Sequence, residues 1–454
     1  MRVTKRDFLK MTGVATLLSI MPKSFLEVLA AETSESEPNV AKVEWEDLPW
    51  KIDEKRYRRF NQKYTMFSRT GWDPKIQAIA KTTPKSILRN IREGDHSTLL
   101  DYAFQSAGWW VVAKSTPELM DFGEGGLVSW TGDGTSPLFC FSTEPWKDNP
   151  ELEEERRKFK RAMEENPGVM TEIVKKVAKH LGASLVGIAP YDPKWVYSHR
   201  VLNPRYHPGI DYKEEPLELP EEVRYVIVLG FEEDYFAMAT GDGSVSMGEQ
   251  GWGYSRMAVT AGSLAEFLRS LGYIGIPSGN DLALSIPYAI AAGLGEYSRM
   301  GVLITPQFGP RVRLAKVFTD APLIPDKPIR FGVYEFCQKC KKCAESCPSN
   351  AIPYGDPTWE GPTISNQKGI WKWYVDVEKC FEYWCTSGNL GCGVCIRVCP
   401  FNKIEWPAHS LFRDYIGPII GGGVGKSLDD FLGYGERLHS SKWWGFRYRD
   451  VVKS

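Results

Sequence analysis

Cysteines are the residues of this chain whose type and spacing point most directly to chemistry. Ten are present among 454 residues, and nine of them lie between positions 337 and 399. Two groups end in the same Cys-x3-Cys-Pro pattern. The first group is Cys337-x2-Cys340-x2-Cys343-x3-Cys347-Pro348, and the second is Cys392-x2-Cys395-x3-Cys399-Pro400, preceded by Cys380 and Cys385.

This spacing predicts two [4Fe–4S] clusters. Two-residue gaps let a tight loop wrap one cluster with three thiolates, and the fourth cysteine, before proline, reaches the other cluster. We therefore expect two ligand sets, of which the second lacks one member: Cys337, Cys340, Cys343 and Cys399 for one cluster, and Cys347, Cys392 and Cys395 for the other. Either Cys380 or Cys385 completes the second set, and spacing alone leaves both open.

Zinc and disulfides are the alternative uses of such cysteines. Zinc sites also contain Cys-x2-Cys pairs, and an exported protein can carry disulfides. The ferredoxin pattern with its proline occurs twice, however, which is rare for zinc. Cysteines this close together cannot all pair with acceptable disulfide geometry. Both alternatives are therefore weak.

The segments ahead of the cysteines must position whatever receives the electrons. Apolar residues recur at helical spacing over 169–181 and 257–271, and buried strands are expected over 184–189 and 224–231. This alternation predicts an α/β (α+β) core over 168–330. From Trp45 to about Pro167 the sequence is rich in Trp, Gly and Pro and reads as irregular, except for a charged helix over 151–165.

The first 31 residues read as an export signal. A basic start is followed by a short apolar run, Met11 to Met21, and by small residues at Ala30 and Ala31. The segment Thr4 to Lys10 is similar to a twin-arginine signal with Lys5 in place of the first arginine. We expect a mature chain that begins near Ala31.

Composition limits the remaining functions. The net charge is −1, from 56 basic and 57 acidic residues, which gives no field favouring nucleic acid. The 57 aromatic residues (16 Trp, 20 Tyr, 21 Phe) suit either a large core or a site for a flat apolar ligand. No Gly-x-Gly-x-x-Gly follows a strand, so direct NAD binding lacks support. There is also no Asp-x-His-x-x-Gly, the motif that supplies an axial histidine to a corrinoid.

Taken together, these features resemble the corrinoid-dependent reductive dehalogenases over nearly the whole chain. The export signal leads, Gly-rich loops follow and two ferredoxin motifs come last. The stretches that carry the resemblance are 253–256 (GYSR), 293–296 (GLGE), 308–313 (FGPRVR), 317–320 (VFTD) and 379–384 (KCFEYW). The last of these favours Cys380 over Cys385 as the eighth ligand.

The resemblance implies a nitroreductase-like core that binds a base-off corrinoid. It implies that Tyr254 is the catalytic proton donor, together with an asparagine downstream in the sequence, Asn280, and a basic residue from the stretch 311–313. We favour Arg313 for that cation, while Arg311 and Lys316 remain open. A tyrosine suits this role because an adjacent cation can stabilise its phenolate. The resemblance further implies that Tyr254 borders the corrinoid together with three glycines: Gly253, Gly279 and Gly309.

The expected organisation has five parts: an export signal (1–31), an N-terminal region contributing to the corrinoid pocket (32–167), the corrinoid-binding core (168–330), the ferredoxin-like domain (331–405) and a C-terminal extension (406–454). The implied activity is removal of halogen from a chlorinated ethene or alkane or a haloaromatic, as terminal reductase of organohalide respiration. Implied partners are a small membrane-anchoring protein and a quinol or hydrogenase donor chain, at the outer face of the cytoplasmic membrane. Epoxyqueuosine reductase and a ferredoxin-type electron carrier are the alternatives.

Overall fold

The computed structural model describes residues 40–93, 97–114, 150–202, 211–389, 391–403 and 422–451. The expected export signal (1–31), the mature start near Ala31 and Cys140 lie outside these residues. Across the described ranges, no helix is both long enough and apolar enough to cross a membrane.

A four-stranded antiparallel sheet with strand order β2-β5-β9-β6 forms the centre of the fold. The described strands in chain order are β1 Ala41–Lys42, β2 Leu185–Pro190, β3 His199–Leu202, β4 Lys213–Pro216, β5 Tyr225–Glu232, β6 Ile276–Ser278, β7 Glu296–Tyr297, β8 Leu303–Ile304, β9 Val312–Thr319 and β10 Ile329–Arg330. β1 pairs with β10, β3 with β4, and β7 with β8.

The central strand β5 is buried on both faces because its alternate side chains enter two different cores. Val226 and Val228 pack into one core with aromatic residues such as Trp195. Ile227 and Leu229 point the other way, into a core shared with two helices. The alternation follows from the two-residue repeat of a strand, and it explains why this segment is apolar at nearly every position.

Helices cover the sheet and carry six of the nine described cysteines. The described α-helices are Met66–Arg69, Pro74–Ala80, Thr83–Glu93, Leu99–Lys114, Pro150–Glu165, Pro167–His180, Tyr235–Met238, Ser244–Ser270, Ser285–Ala291, Val333–Cys340, Lys342–Glu345, Val377–Ser387, Val394–Val398, Gly422–Phe431, Ser440–Trp444 and Tyr448–Val451, and single 3-10 turns occur at Trp45–Asp47, Gln62–Tyr64 and Pro193–Trp195. The mixed helix and strand class, the two predicted strands and the helices near 151–165 and 169–181 are confirmed.

One predicted helix begins thirteen residues earlier than expected, at Ser244 rather than at 257. Its first half contains glycines, which lower helix propensity, but those glycines let another helix approach closely. A Cβ on Gly248 would lie 2.4 Å from Phe104 Cδ1, and a Cβ on Gly251 would lie 2.5 Å from Trp109 Cδ1. The packing of Leu99–Lys114 against this helix therefore overrides the local preference.

The prediction that 45–167 is irregular was wrong, because four helices precede residue 115. They are held by tertiary contacts with later parts of the chain. Tyr102 donates to the carbonyl of Gly388 at 2.5 Å, and the amide of Asn90 donates to the carbonyl of Ser387 at 2.5 Å. Such contacts cannot be read from local periodicity.

Candidate active site and cluster-binding cysteines

Two of the three Cys-x2-Cys loops, Cys340-x2-Cys343 and Cys392-x2-Cys395, adopt the same local conformation. The residue after the first cysteine has left-handed backbone geometry in each, with φ of 54° at Lys341 and 80° at Gly393. That residue begins a new short helix, Lys342–Glu345 in one loop and Val394–Val398 in the other. The left-handed residue turns the chain sharply, and a tight turn of this kind lets successive cysteines bind one cluster.

The described cysteines gather into the two expected sets. Cys337, Cys340, Cys343 and Cys399 line one pocket. In the other set, Cys347, Cys392 and Cys395 interact electrostatically with one another and with Cys380. No disulfide joins two of the nine described cysteines. In the described ranges, no three His, Cys, Asp or Glu side chains are placed to hold a single metal ion.

Cys380 and Cys385 lie on different faces of the helix Val377–Ser387. Five residues of an α-helix correspond to a rotation of roughly 140° between side chains. Cys380 therefore faces Cys347 and Cys392, while Cys385 packs into a separate apolar cluster with Ile76. This placement supports Cys380 as the eighth ligand, which remains a prediction.

Burial makes these thiols unfavourable as free thiolates. It raises the pKa of Cys337, Cys380, Cys392 and Cys395 to about 12, and neighbouring cysteines add to the effect at all four. A thiolate is the form that binds iron, so the positive charge of an iron–sulfur core would be needed to stabilise it here. The residues present therefore fit two clusters.

Tyr254 lies on the long helix Ser244–Ser270 and is half-buried. The amide Nδ2 of Asn280 donates a hydrogen bond to its hydroxyl oxygen at 3.0 Å. The Arg313 guanidinium carbon lies 5.0 Å from the centre of its ring, and the Trp109 ring stacks on it with centroids 5.2 Å apart. Among the described residues, none accepts a hydrogen bond from the Tyr254 hydroxyl.

Arg313 is the cation that the structure brings to Tyr254. Its Nε donates to the Glu233 carboxylate at 2.8 Å, and its Nη2 donates to Gln250 Oε1 at 2.8 Å. Burial by itself would lower the pKa of Arg313, but Glu233 and Tyr254 outweigh it and raise the pKa. The guanidinium is therefore fixed in place and fully charged beside the phenol.

The two other candidate cations point elsewhere. Arg311 is buried and donates to Asn402 Oδ1 at 2.7 Å and to Glu232 Oε1 at 2.9 Å, which ties the cysteine-bearing segment to the sheet. Lys316 is also buried, and its Nζ donates to the Gly279 carbonyl at 2.5 Å and to Ser285 Oγ at 2.8 Å. Neither contacts the Tyr254 ring in the described structure.

Of the three glycines expected at the cofactor, Gly253 directly precedes Tyr254 on the long helix. A Cβ there would lie 2.8 Å from Arg313 Cγ, so glycine makes room for the arginine to cross the helix. Gly309 instead packs against the Phe401 carbonyl with φ of +57°, and Gly279 supplies the carbonyl bound by Lys316. A cofactor-binding role for these glycines stays a prediction.

Sequence reasoning missed three residues of this site: Trp109, Glu233 and Gln250. Trp109 lies on the helix Leu99–Lys114, Glu233 directly follows β5, and Gln250 lies on the long helix Ser244–Ser270. No motif spacing in the sequence connects the three. Glu233 Oε2 and Gln250 Nε2 are buried polar atoms without a hydrogen-bond partner in the described structure. A buried polar atom of this kind is expected to have a partner, so the site has capacity for a bound group that offers both donors and acceptors.

The sequence model of the 4Fe-4S double cluster binding domain matches residues 336–402. The chain is 41% identical over 306 residues to the tetrachloroethene reductive dehalogenase of Sulfurospirillum multivorans, which covers 62% of this chain and 60% of that protein. It is 38% identical over 331 residues to the enzyme of the same name from Dehalobacter restrictus, and this match covers 64% of this chain and 60% of that protein. The chain thus spans about 60% of the length of these relatives.

The fold matches the solved structure of a reductive dehalogenase, a structure that suggests a mechanism for B12-dependent dehalogenation. The TM-score is 0.62 at 23% identity, and the match covers 88% of this chain and 49% of that one. The fold class and the double cluster domain are confirmed. The resemblance to the reductive dehalogenases is also confirmed, and epoxyqueuosine reductase is the less supported alternative.

Proposed function

We propose that this chain is a corrinoid- and iron–sulfur-dependent reductive dehalogenase acting on a chlorinated ethene. The observation that carries the proposal is the meeting of Tyr254, Asn280 and Arg313 beside the cysteine-bearing segment. The names of the relatives, tetrachloroethene reductive dehalogenases at 41% and 38% identity, support the substrate class.

The reaction consumes two electrons and one proton and releases a halide ion. When bound, a corrinoid supplies a cobalt centre that accepts single electrons and reacts with the carbon–halogen bond. The two cysteine sets hold the clusters that deliver those electrons one at a time. The unpartnered Gln250 Nε2 and Glu233 Oε2 suit a large group with polar edges, so the residues present fit a corrinoid.

Tyr254 provides the proton. Its hydroxyl oxygen accepts from Asn280, which leaves its own hydrogen directed away from the amide. When that hydrogen leaves, the phenolate forms between the Asn280 amide and the Arg313 cation, and both stabilise it. Arginine suits this role because it stays charged at any working pH.

The test is reconstitution of the full chain with iron, sulfide and a corrinoid, followed by an assay with reduced viologen and tetrachloroethene. We expect about eight iron atoms per chain, from two four-iron clusters, one cobalt, and release of chloride. Protein matured without corrinoid serves as the control and should release none. Four irons, absence of cobalt, or turnover of epoxyqueuosine without chloride release would contradict the proposal.

We also propose that the protein works at the outer face of the cytoplasmic membrane after twin-arginine export. The Thr4–Lys10 motif and the small residues at Ala30 and Ala31 support export. The family resemblance supports a small membrane-anchoring partner and a quinol or hydrogenase donor chain. N-terminal sequencing of active enzyme from its host should find a start near Ala31; Met1 on active enzyme would contradict export.

A further inference from the structure

Arg299 is a buried arginine that the reaction described above does not use. It lies in the connection between β7 and β8, and only 1% of it is exposed. A charge taken out of water is costly unless it is hydrogen-bonded or paired. Its surroundings therefore need an explanation.

The hydrogen bonds of this guanidinium all go to backbone carbonyls in the described structure. Nε donates to Cys337 at 2.9 Å, Nη1 to Pro353 at 2.8 Å and Gly355 at 2.7 Å, and Nη2 to Gln338 at 3.3 Å. Neutral carbonyls satisfy the N–H groups but do not cancel the positive charge. The charge therefore remains available to act on its neighbours.

Those neighbours are the cysteines of the first set. Arg299 lines the same pocket as Cys337, Cys340, Cys343 and Cys399, and it interacts electrostatically with the first three of them. Two other buried cations near this set, Lys342 and Lys403, both donate to the Asp429 carboxylate. Arg299 differs from them, because its hydrogen bonds in the described structure go to carbonyls, and the one carboxylate that acts on it, Asp356, does so only electrostatically.

The second set has a different balance of charged neighbours. Asp376 acts on Cys380 and Asp242 on Cys392, and one cation, Arg397, acts on Cys392. Acidic side chains also act on the first set, Glu296 at Cys337 and Asp429 at Cys340. What sets the first set apart is Arg299, a buried cation whose hydrogen bonds in the described structure go to carbonyls.

We propose that Arg299 raises the reduction potential of the cluster held by Cys337, Cys340, Cys343 and Cys399 above that of the other cluster. Each cluster accepts one electron from an external reductant, with no proton transferred and no bond broken, and so gains one negative charge. A nearby cation in a site of low dielectric stabilises the more negative, reduced form, and net charge and hydrogen bonding are known determinants of cluster potential. The proposal depends on the cluster ligands and not on the dehalogenase reaction.

The experiment is a redox titration of the cluster-loaded full chain with dithionite, followed by electron paramagnetic resonance. Cys340→Ser identifies the signal of the first cluster. In Arg299→Met, the reduced-to-oxidised ratio of that cluster should fall about tenfold at a fixed solution potential, equal to roughly 59 mV for one electron. Arg299→Lys keeps a cation and should restore most of the potential.

Arg269→Met is the matched control, because it removes a cation near the end of the long helix, where Arg269 is paired with Glu266. It should leave both potentials unchanged. The proposal is overturned if Arg299→Met shifts neither cluster, or shifts both equally. It is also overturned if iron is lost from Arg299→Lys as well as from Arg299→Met, because the fork of hydrogen bonds would then matter and not the charge. Chloride release is not measured, so failure of the proposed function would leave this result intact.

Discussion

The cysteine-bearing segment and the Tyr254 site are neighbours in the fold but are built in different ways. In the cysteine segment, each buried thiol would contribute one of four covalent bonds to a cluster. At Tyr254, a half-buried phenol is surrounded by a hydrogen bond, a cation and a stacked ring, each from a different element. Losing one cluster ligand should therefore abolish activity almost completely, whereas substitutions around Tyr254 should reduce the rate by different amounts.

The largest effect is expected from Cys380→Ser. Removing the fourth thiolate of the second set should cost that cluster, so the iron content should fall by up to half and dehalogenation should drop to background. Cys385→Ser is the control on the same helix, where a small apolar contact is lost and both clusters should remain. Iron counting on both purified variants decides between them; loss of a cluster only in Cys385→Ser would reverse the ligand assignment.

Tyr254→Phe should have the next largest effect. The ring keeps its stacking on Trp109 and its contact with Arg313, so the fold and cofactor content should survive. A positioned general acid contributes about 10²- to 10⁴-fold to rate, and the initial rate with reduced viologen should fall by that factor. Near wild-type turnover with full iron and cobalt would show that Tyr254 is a packing residue and that the proton comes from elsewhere.

Arg313→Ala should reduce the rate by about 10²-fold, the usual cost of losing one group that stabilises a developing anion. Arg313→Lys should lose less, since a point charge can still pair with Glu233 but cannot also hold Gln250. The alanine variant also leaves the buried Glu233 carboxylate without its cation, which costs roughly 3–5 kcal/mol of stability.

A control separates that stability loss from the loss of catalysis. Arg313→Met combined with Glu233→Gln removes both charges, so the melting temperature should recover while the rate stays low. If the rate recovers together with the melting temperature, Arg313 supports the fold and does not stabilise the phenolate.

The same difference decides what the sequence could predict. Both cysteine sets are predicted from local spacing, and the structure brings the members of each set close together, while their role as ligands stays a prediction. Spacing could not choose between Cys380 and Cys385, because that choice depends on which face of their helix is turned to the other cysteines. The Tyr254 site depends on tertiary packing instead. Glu233 meets Arg313 because β5 pairs with β9, with Phe231 opposite Arg313. Trp109 reaches the tyrosine only because glycines let two helices pack closely, and those glycines also hid the start of the long helix.

The smallest effect is expected from Lys316, which acts on Tyr254 only through other residues. Its Nζ donates to Ser285 Oγ at 2.8 Å, Ser285 donates to Asn280 Oδ1 at 3.3 Å, and Asn280 donates to the Tyr254 hydroxyl. The ammonium thus helps to orient the Asn280 amide. One hydrogen bond contributes about 0.5–1.5 kcal/mol net, so Lys316→Met should slow turnover by less than about tenfold at pH 7.

The pH dependence of this effect is the sharper test. Burial lowers the pKa of Lys316 to about 8, and Asp281 opposes that shift. The wild-type ammonium is therefore charged below pH 8 and becomes neutral above it, so the ratio of wild-type to Lys316→Met rates should fall towards one between pH 7 and pH 9. Taking the ratio cancels titrations that both proteins share. A ratio that stays constant across this range would mean that Lys316 supports Gly279 and Ser285 by packing alone, and its charge would have no part in holding the proton donor.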